Sequence, residues 1–162
     1  MSRIVSNASP LIVLAKASLL ELLPKVFSEI LIPQGVRLEI ESGPINDPMR
    51  GALPGCSWLR VVILDPPLSP LATMQLGRGE AEVIEYARRQ RDSDVLLDDR
   101  AGRRAAQALG LRALGTLSVV AIAARHGLVA SFDVAVAQLR SAGLYASDAI
   151  VDAVKHGLRK QS

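Results

Sequence analysis

Asp94-Val95-Leu96-Leu97-Asp98-Asp99 is a short apolar run closed by two acids. Continuous apolar runs of this length suit strands buried on both faces of a parallel sheet. Acids at the carboxyl end of such a strand stand where α/β folds bind their ligands. Working outward, Glu80 opens the preceding helix and Glu39 sits in an earlier one. Carboxylates brought together in this way repel one another unless something positive lies among them. The usual partner is Mg²⁺ or Mn²⁺, and the usual substrate of such a site is a phosphate ester.

The rest of the chain alternates strands with helices. Residues 3–6 read as a buried strand, and Ser9-Pro10 starts a helix with proline in its first turn. Ser18-Leu-Leu-Glu21 reads as a capping box for a second short helix that Pro24 keeps from extending. Residues 29–32 form a second strand, followed by a helix near 34–41, a Gly/Pro-rich loop over 42–57 and a third strand over 58–64. A loop with one short helical turn fills 65–79. Helices over 80–91 and 100–109 flank a strand at 95–98, and a last strand lies at 111–114. Thr116, Ser131 and Ser147 cap three further helices ending near Gly127, Gly143 and Gly157. This order implies a mostly parallel sheet covered on both faces, in one domain over 1–162 with C-terminal helices at about 131–158.

Composition narrows the function. Hydrophobic residues make up 49% of the 162 and the mean hydropathy is +0.27, which excludes a disordered chain. A net charge of +3 is compatible with a polyanionic partner without demonstrating one. Aromatic residues are only 3%, so base stacking is not expected as the main binding mode and phosphate contacts would dominate. Cys56 is the single cysteine, so no intrachain disulfide forms; it reads as an incidental thiol. Asn7, Pro10, Lys16 and Glu21 interrupt the apolar N-terminus, which is neither signal peptide nor membrane span. A cytoplasmic protein is expected.

Each candidate has a plainer reading beside the functional one. On a helical wheel Glu80 shares the core side with Ile84, whereas Glu82, Glu85 and Arg89 point away. The helix dipole alone favours an acid in that first turn. Glu39 lies on the Val36/Ile40 side of its helix. Asp98 and Asp99 point to different sides, so one can face the site while the other caps the helix starting near Arg100. Arg100 and Arg103 leave the same strand end and could hold a phosphodiester, or simply form a solvated helix face. Asp65 and Asp148 read as ordinary loop and first-turn acids. His126 and His156 each precede a glycine, as helix-terminal cations do.

Three phrases, in order, resemble the PIN domain: Ile4-Val-Ser-Asn-Ala-Ser-Pro-Leu-Ile12, Gly79-Glu-Ala-Glu82 and Leu96-Leu-Asp-Asp-Arg-Ala-Gly-Arg103. The likeness runs over about residues 3–127, and the first phrase most resembles an uncharacterised prokaryotic branch. It implies a three-layer α/β/α sandwich and a metal-dependent ribonuclease acting on single-stranded RNA. Many small prokaryotic PIN domains resemble VapC-type toxins, which a small antitoxin protein silences and which often pair as homodimers. Carried over position by position, the resemblance puts Glu39, Glu80 and a final acid, Asp98 or Asp99, at the catalytic site; Glu39, Glu80 and Asp98 would hold Mg²⁺ or Mn²⁺, with Asp99 as the alternative to Asp98. Asn7 and Ser9 would position water or phosphate, and Arg100 and Arg103 would bind substrate. Asn7 stands where the family usually has an acid. An amide oxygen can ligate Mg²⁺ but brings no charge, so metal affinity should fall. Two rivals follow: a non-catalytic PIN-like module that binds RNA or protein, and a receiver-like phosphorylation domain, which lacks its acidic pair at Asn7-Ala8-Ser9.

Overall fold

The computed structural model describes residues 2–70 and 74–160. Five strands are present: β1 (Arg3–Ser6), β2 (Glu29–Pro33), β3 (Leu59–Val62), β4 (Ser93–Leu96) and β5 (Ala113–Leu114). Their order across the sheet is β3-β2-β1-β4-β5, and every pairing is parallel. Parallel neighbours need crossovers, and helices supply them. In chain order these are α1 (Ala8–Lys16), α2 (Leu23–Val26), α3 (Gln34–Glu41), α4 (Pro48–Ala52), α5 (Arg78–Gln90), α6 (Arg100–Ala108), α7 (Thr116–Arg125), α8 (Phe132–Ser141) and α9 (Asp148–Lys160). The result is an α/β/α sandwich with a parallel central sheet.

β1, β2 and β4 carry continuous apolar runs because both faces of the sheet are covered there. Ile4, Val5, Leu31, Ile32, Val95, Leu96 and Leu97 are all essentially inaccessible to solvent. The chain builds outward from β1 to β2 and β3, then returns to the other side of β1 for β4 and β5. The direction of winding therefore reverses between β1 and β4, where open parallel sheets bind their ligands. Ser6 pairs with Leu96, and the Asn7 N–H donates to the Leu96 carbonyl at 3.0 Å, one residue beyond the pairing. Residues that follow the two strands thus emerge side by side.

Several local expectations are adjusted. The strand expected at 95–98 starts earlier, at Ser93, and β3 is shorter than 58–64. Ser18 makes no capping bond; it has a positive φ of 59°, and Pro24 sits in the first turn of α2 rather than ending a helix. The stretch 42–57 holds a short helix, α4, because the Asp47 carboxylate accepts from the Met49 and Arg50 N–H groups. The helical turn expected within 65–79 falls partly on residues 71–73, outside the described residues. Ser131 and Ser147 do accept from Val134 and Ile150, and α9 continues past Gly157.

Glu82 does not point away. It is buried, its Oε2 accepting from the Gly35 N–H at 2.7 Å and its Oε1 from Arg78 Nε at 2.8 Å. The cause is that α5 packs against α3 as well as against the sheet. A Cβ on Gly35 would lie 2.7 Å from that carboxylate oxygen, so only glycine lets the two helices approach here.

Glu85, one turn further along α5, takes hydrogen bonds from Arg88 and Arg89. The bond from Arg88 is the largest cause of its carboxyl falling to about 2, with burial opposing and Arg89 assisting. An acid depressed on folding stabilises above its ordinary range, and that contribution disappears as pH falls through the folded value. Glu85→Gln is therefore expected to lower the melting temperature at pH 7. The gap to wild type should close between about pH 4.5 and pH 2 in a series of thermal melts.

Candidate functional site

Two chain segments at the reversal point carry the site, and two helices complete it. Asn7 follows β1 and forms the N-cap position of α1 with no side-chain capping bond. Its Oδ1 is buried and has no hydrogen-bond partner. Buried acceptors are seldom left unpaired, because an unmade bond costs roughly 1–3 kcal/mol. Glu39 reaches the same place from α3. Gly79, in the first turn of α5, marks where they meet: a Cβ there would lie 2.9 Å from Glu39 Oε2 and 3.6 Å from Asn7 Oδ1.

Glu80 projects from the next residue toward α6. A Cβ on Gly102 would come within 2.7 Å of the Glu80 carboxyl carbon. The same glycine donates its N–H to Asp99 Oδ2 at 2.8 Å, so Asp99 is the N-cap of α6. The Glu80 carboxyl is held above its ordinary 4.5, first by burial, then by the negative charges of Asp99 and Glu39. Glu39, Glu80 and Asp99 are thus electrostatic neighbours, with the Asn7 amide beside Glu39.

Asp98 is turned elsewhere. Its two oxygens accept from the Thr116 N–H at 2.7 Å and the Thr116 hydroxyl at 2.6 Å. It anchors the first turn of α7, where a negative charge is favoured. Arg103 donates through Nη1 to the carbonyls of Leu97 and Asp98, so its guanidinium is fixed at the same strand end. Ser9 and Arg100 are exposed. Ser9, Asp98, Asp99, Arg100 and Arg103 share the wall of a groove of about 870 Å³ that extends toward α7 and α9. Asp99 belongs to both settings: its charge reaches Glu80, and it lines the groove.

Among the described residues, no three His, Cys, Asp or Glu side chains are gathered tightly enough to hold a metal ion by themselves. The donor set nevertheless suits a hard cation. It is made wholly of oxygen: one amide and three carboxylates. Mg²⁺ typically takes one or two carboxylates and keeps several waters, so spaced acids fit it. The unpartnered Asn7 Oδ1 supplies a further acceptor beside Glu39. Cys56 lies outside the site, buried, with its thiol pushed up first by that burial. Local pattern could not have given Glu82, which braces α3 and α5 and so sets the spacing of Glu39 and Glu80.

A family model described as a PIN domain, DUF3368, matches residues 3–160. This chain belongs to the PIN domain family. PIN domains are generally nucleases that use divalent metal ions and bind nucleic acid. The match extends beyond the three N-terminal phrases and takes in α8 and α9. A solved structure of similar fold is a PilT N-terminus domain protein from the hyperthermophilic archaeon Sulfolobus solfataricus P2. It shares 21% sequence identity, covers 72% of this chain and 89% of its own, and superposes with a TM-score of 0.50. That likeness bears on the fold alone. No curated protein matches in sequence. No helix of this PIN domain, among the described residues, is long and apolar enough to cross a membrane.

Glu80 gives the site a pH signature. An acid whose pKa is raised on folding carries no penalty below its ordinary value, and the penalty is complete once pH exceeds the raised value. In EDTA at pH 7, Glu80→Gln should therefore melt above wild type. The difference should shrink as pH is lowered through about 4.5, where the carboxyl is neutral in both states. An offset that does not change with pH would mean that neither burial nor the neighbouring acids raise the Glu80 carboxyl.

Proposed function

We propose that this PIN domain is a metal-dependent endoribonuclease cleaving single-stranded RNA, with Mg²⁺ or Mn²⁺ as its cofactor. The observation that carries this reading is the buried, unpartnered Asn7 Oδ1 beside Glu39, next to a Glu80 crowded by Asp99. An all-oxygen cluster with an orphaned acceptor suits a divalent cation and little else. Glu39, Glu80 and Asp99, with the Asn7 amide, would hold the ion. Asp99 takes precedence over Asp98 as ligand because its charge reaches Glu80, whereas both Asp98 oxygens are engaged by Thr116.

The bound ion would activate water and neutralise charge on the phosphodiester. The remaining work falls to the protein. Arg103, held by the backbone of Leu97 and Asp98, presents a fixed cation to the phosphate, and exposed Arg100 adds a second. The Ser9 hydroxyl lines the groove at the same end and can orient water or a phosphate oxygen. Asp98 positions α7 and, through its backbone carbonyl, Arg103. The likeness of the first motif to small prokaryotic PIN proteins supports a toxin role, with a small antitoxin protein as silencer and a homodimer as the working unit. A non-catalytic RNA- or protein-binding module is the second reading, favoured by the missing charge at Asn7.

Purified protein is expected to cleave single-stranded oligoribonucleotides weakly with Mn²⁺ or Mg²⁺, and EDTA should abolish the cleavage. Glu80→Gln should reduce it to background while leaving the fold intact. Asn7→Asp separates the two readings. A fourth acid deepens the well for the ion but adds repulsion without it. It should lower the melting temperature in EDTA and enlarge the rise on adding Mn²⁺. A tenfold gain in affinity adds about 1.4 kcal/mol at saturating ion, or roughly 3–6 °C for a chain of this size. If neither quantity moves, Asn7 does not face the acids and the metal reading of this site is lost.

A further inference from the structure

The groove beside Asp98 and Asp99 is mixed in character. At the strand end it carries acids and the cations Arg100 and Arg103. Its wall also holds apolar side chains, Ile12 and Val13 of α1, Leu117 of α7, Leu144 and Tyr145 of the connection before α9 and Val154 midway along α9, with Lys16, Gln107 and Ser118 among them. Its volume, about 870 Å³, lies within the range of small-ligand sites. Tyr145 is 93% exposed although its neighbour Leu144 packs against the core. Folding gives that ring no reason to be aromatic. The chain has only five aromatic residues, and this one stands in the Ala142–Ser147 connection, on the groove's rim.

We propose that this groove receives one unpaired nucleobase next to the scissile phosphate, with Tyr145 as its stacking platform. The inference rests on the nuclease reading and names the subsite that reading lacks. A nucleotide is charged at one end and flat and apolar at the other, and the groove offers both the charged groups of Asp98, Asp99, Arg100 and Arg103 and an apolar wall. A duplex could not offer a free base face to the ring; a single strand can. One ring also fits the low aromatic content: phosphate contacts supply most of the affinity, and stacking fixes which nucleotide lies at the cut.

The test uses the full chain, Mn²⁺ and single-stranded oligoribonucleotides of one sequence, each carrying one abasic residue at a different position flanking the cut. Tyr145→Ala should raise KM roughly tenfold with kcat nearly unchanged. Tyr145→Phe, which keeps the ring face, should behave as wild type. One abasic position should cost wild type a similar factor and cost Tyr145→Ala nothing more. Tyr145→Ala kinetics within about twofold of wild type would overturn the subsite while leaving the nuclease reading standing. So would abasic penalties that simply add to the mutation. If wild type cleaves no RNA, the nuclease reading fails and the groove is tested by binding. With Ca²⁺ present, the oligoribonucleotide should then quench the fluorescence of Tyr145→Trp, and absence of quenching removes the subsite as well. A loss of self-association in Tyr145→Ala, with RNA binding intact, would reassign the ring to a contact between copies.

Discussion

The hydrogen bond from the Asn7 N–H to the Leu96 carbonyl prolongs the pairing of β1 with β4 past the last residue of β1. Everything at the site depends on that continuation. It fixes the residue after β1 next to the residues after β4, in the one gap of the sheet where the winding reverses. Because Ile4, Val5, Val95 and Leu96 are fully buried, the pairing cannot slip by one register without exchanging side chains between two packed faces. A loop closing the same distance would leave the acids free to move apart under their own repulsion. Two buried strands do not.

Helices then bring charge to a frame that is otherwise apolar. Glu39 and Glu80 come from α3 and α5, and the separation of those helices is set by Glu82, which spans from α5 to the Gly35 N–H. Glycine recurs at the two glutamates of the site: Gly79 under Glu39 and Gly102 under Glu80. The missing Cβ leaves room for these carboxyls to come close to the neighbouring helix backbone. Asp98 likewise lies against the backbone at Thr116.

Much of this is legible in the sequence. The Val95–Leu97 run between acids reads as a buried strand, and the spacing of Val36 with Ile40 and of Glu80 with Ile84 reads as helix faces, because those signals are local and periodic. The helix α4 is not legible that way. A single carboxylate, Asp47, secures it within a Gly/Pro-rich stretch whose composition argues for a loop. Glu82 is hidden for a different reason. Its burial depends on Gly35, 47 residues earlier, and a helical wheel knows only one packing face when α5 has two. The division of labour between Asp98 and Asp99 is likewise settled by partners on other elements, Thr116 for one and Gly102 with Glu80 for the other. Adjacent acids look alike until their neighbours are known.

The glycine under Glu80 also offers a way to disarm the molecule by shape. A methyl group at position 102 would displace the carboxyl end of a flexible side chain, and neither the fold's net charge nor its groove would change. The usual route to an inert nuclease removes an acid, which alters the electrostatic field that a partner or a polyanion senses at a distance. An alanine at this position would keep that field and spoil only the short-range alignment. Such a chain would serve as a decoy for capturing whatever binds the intact surface.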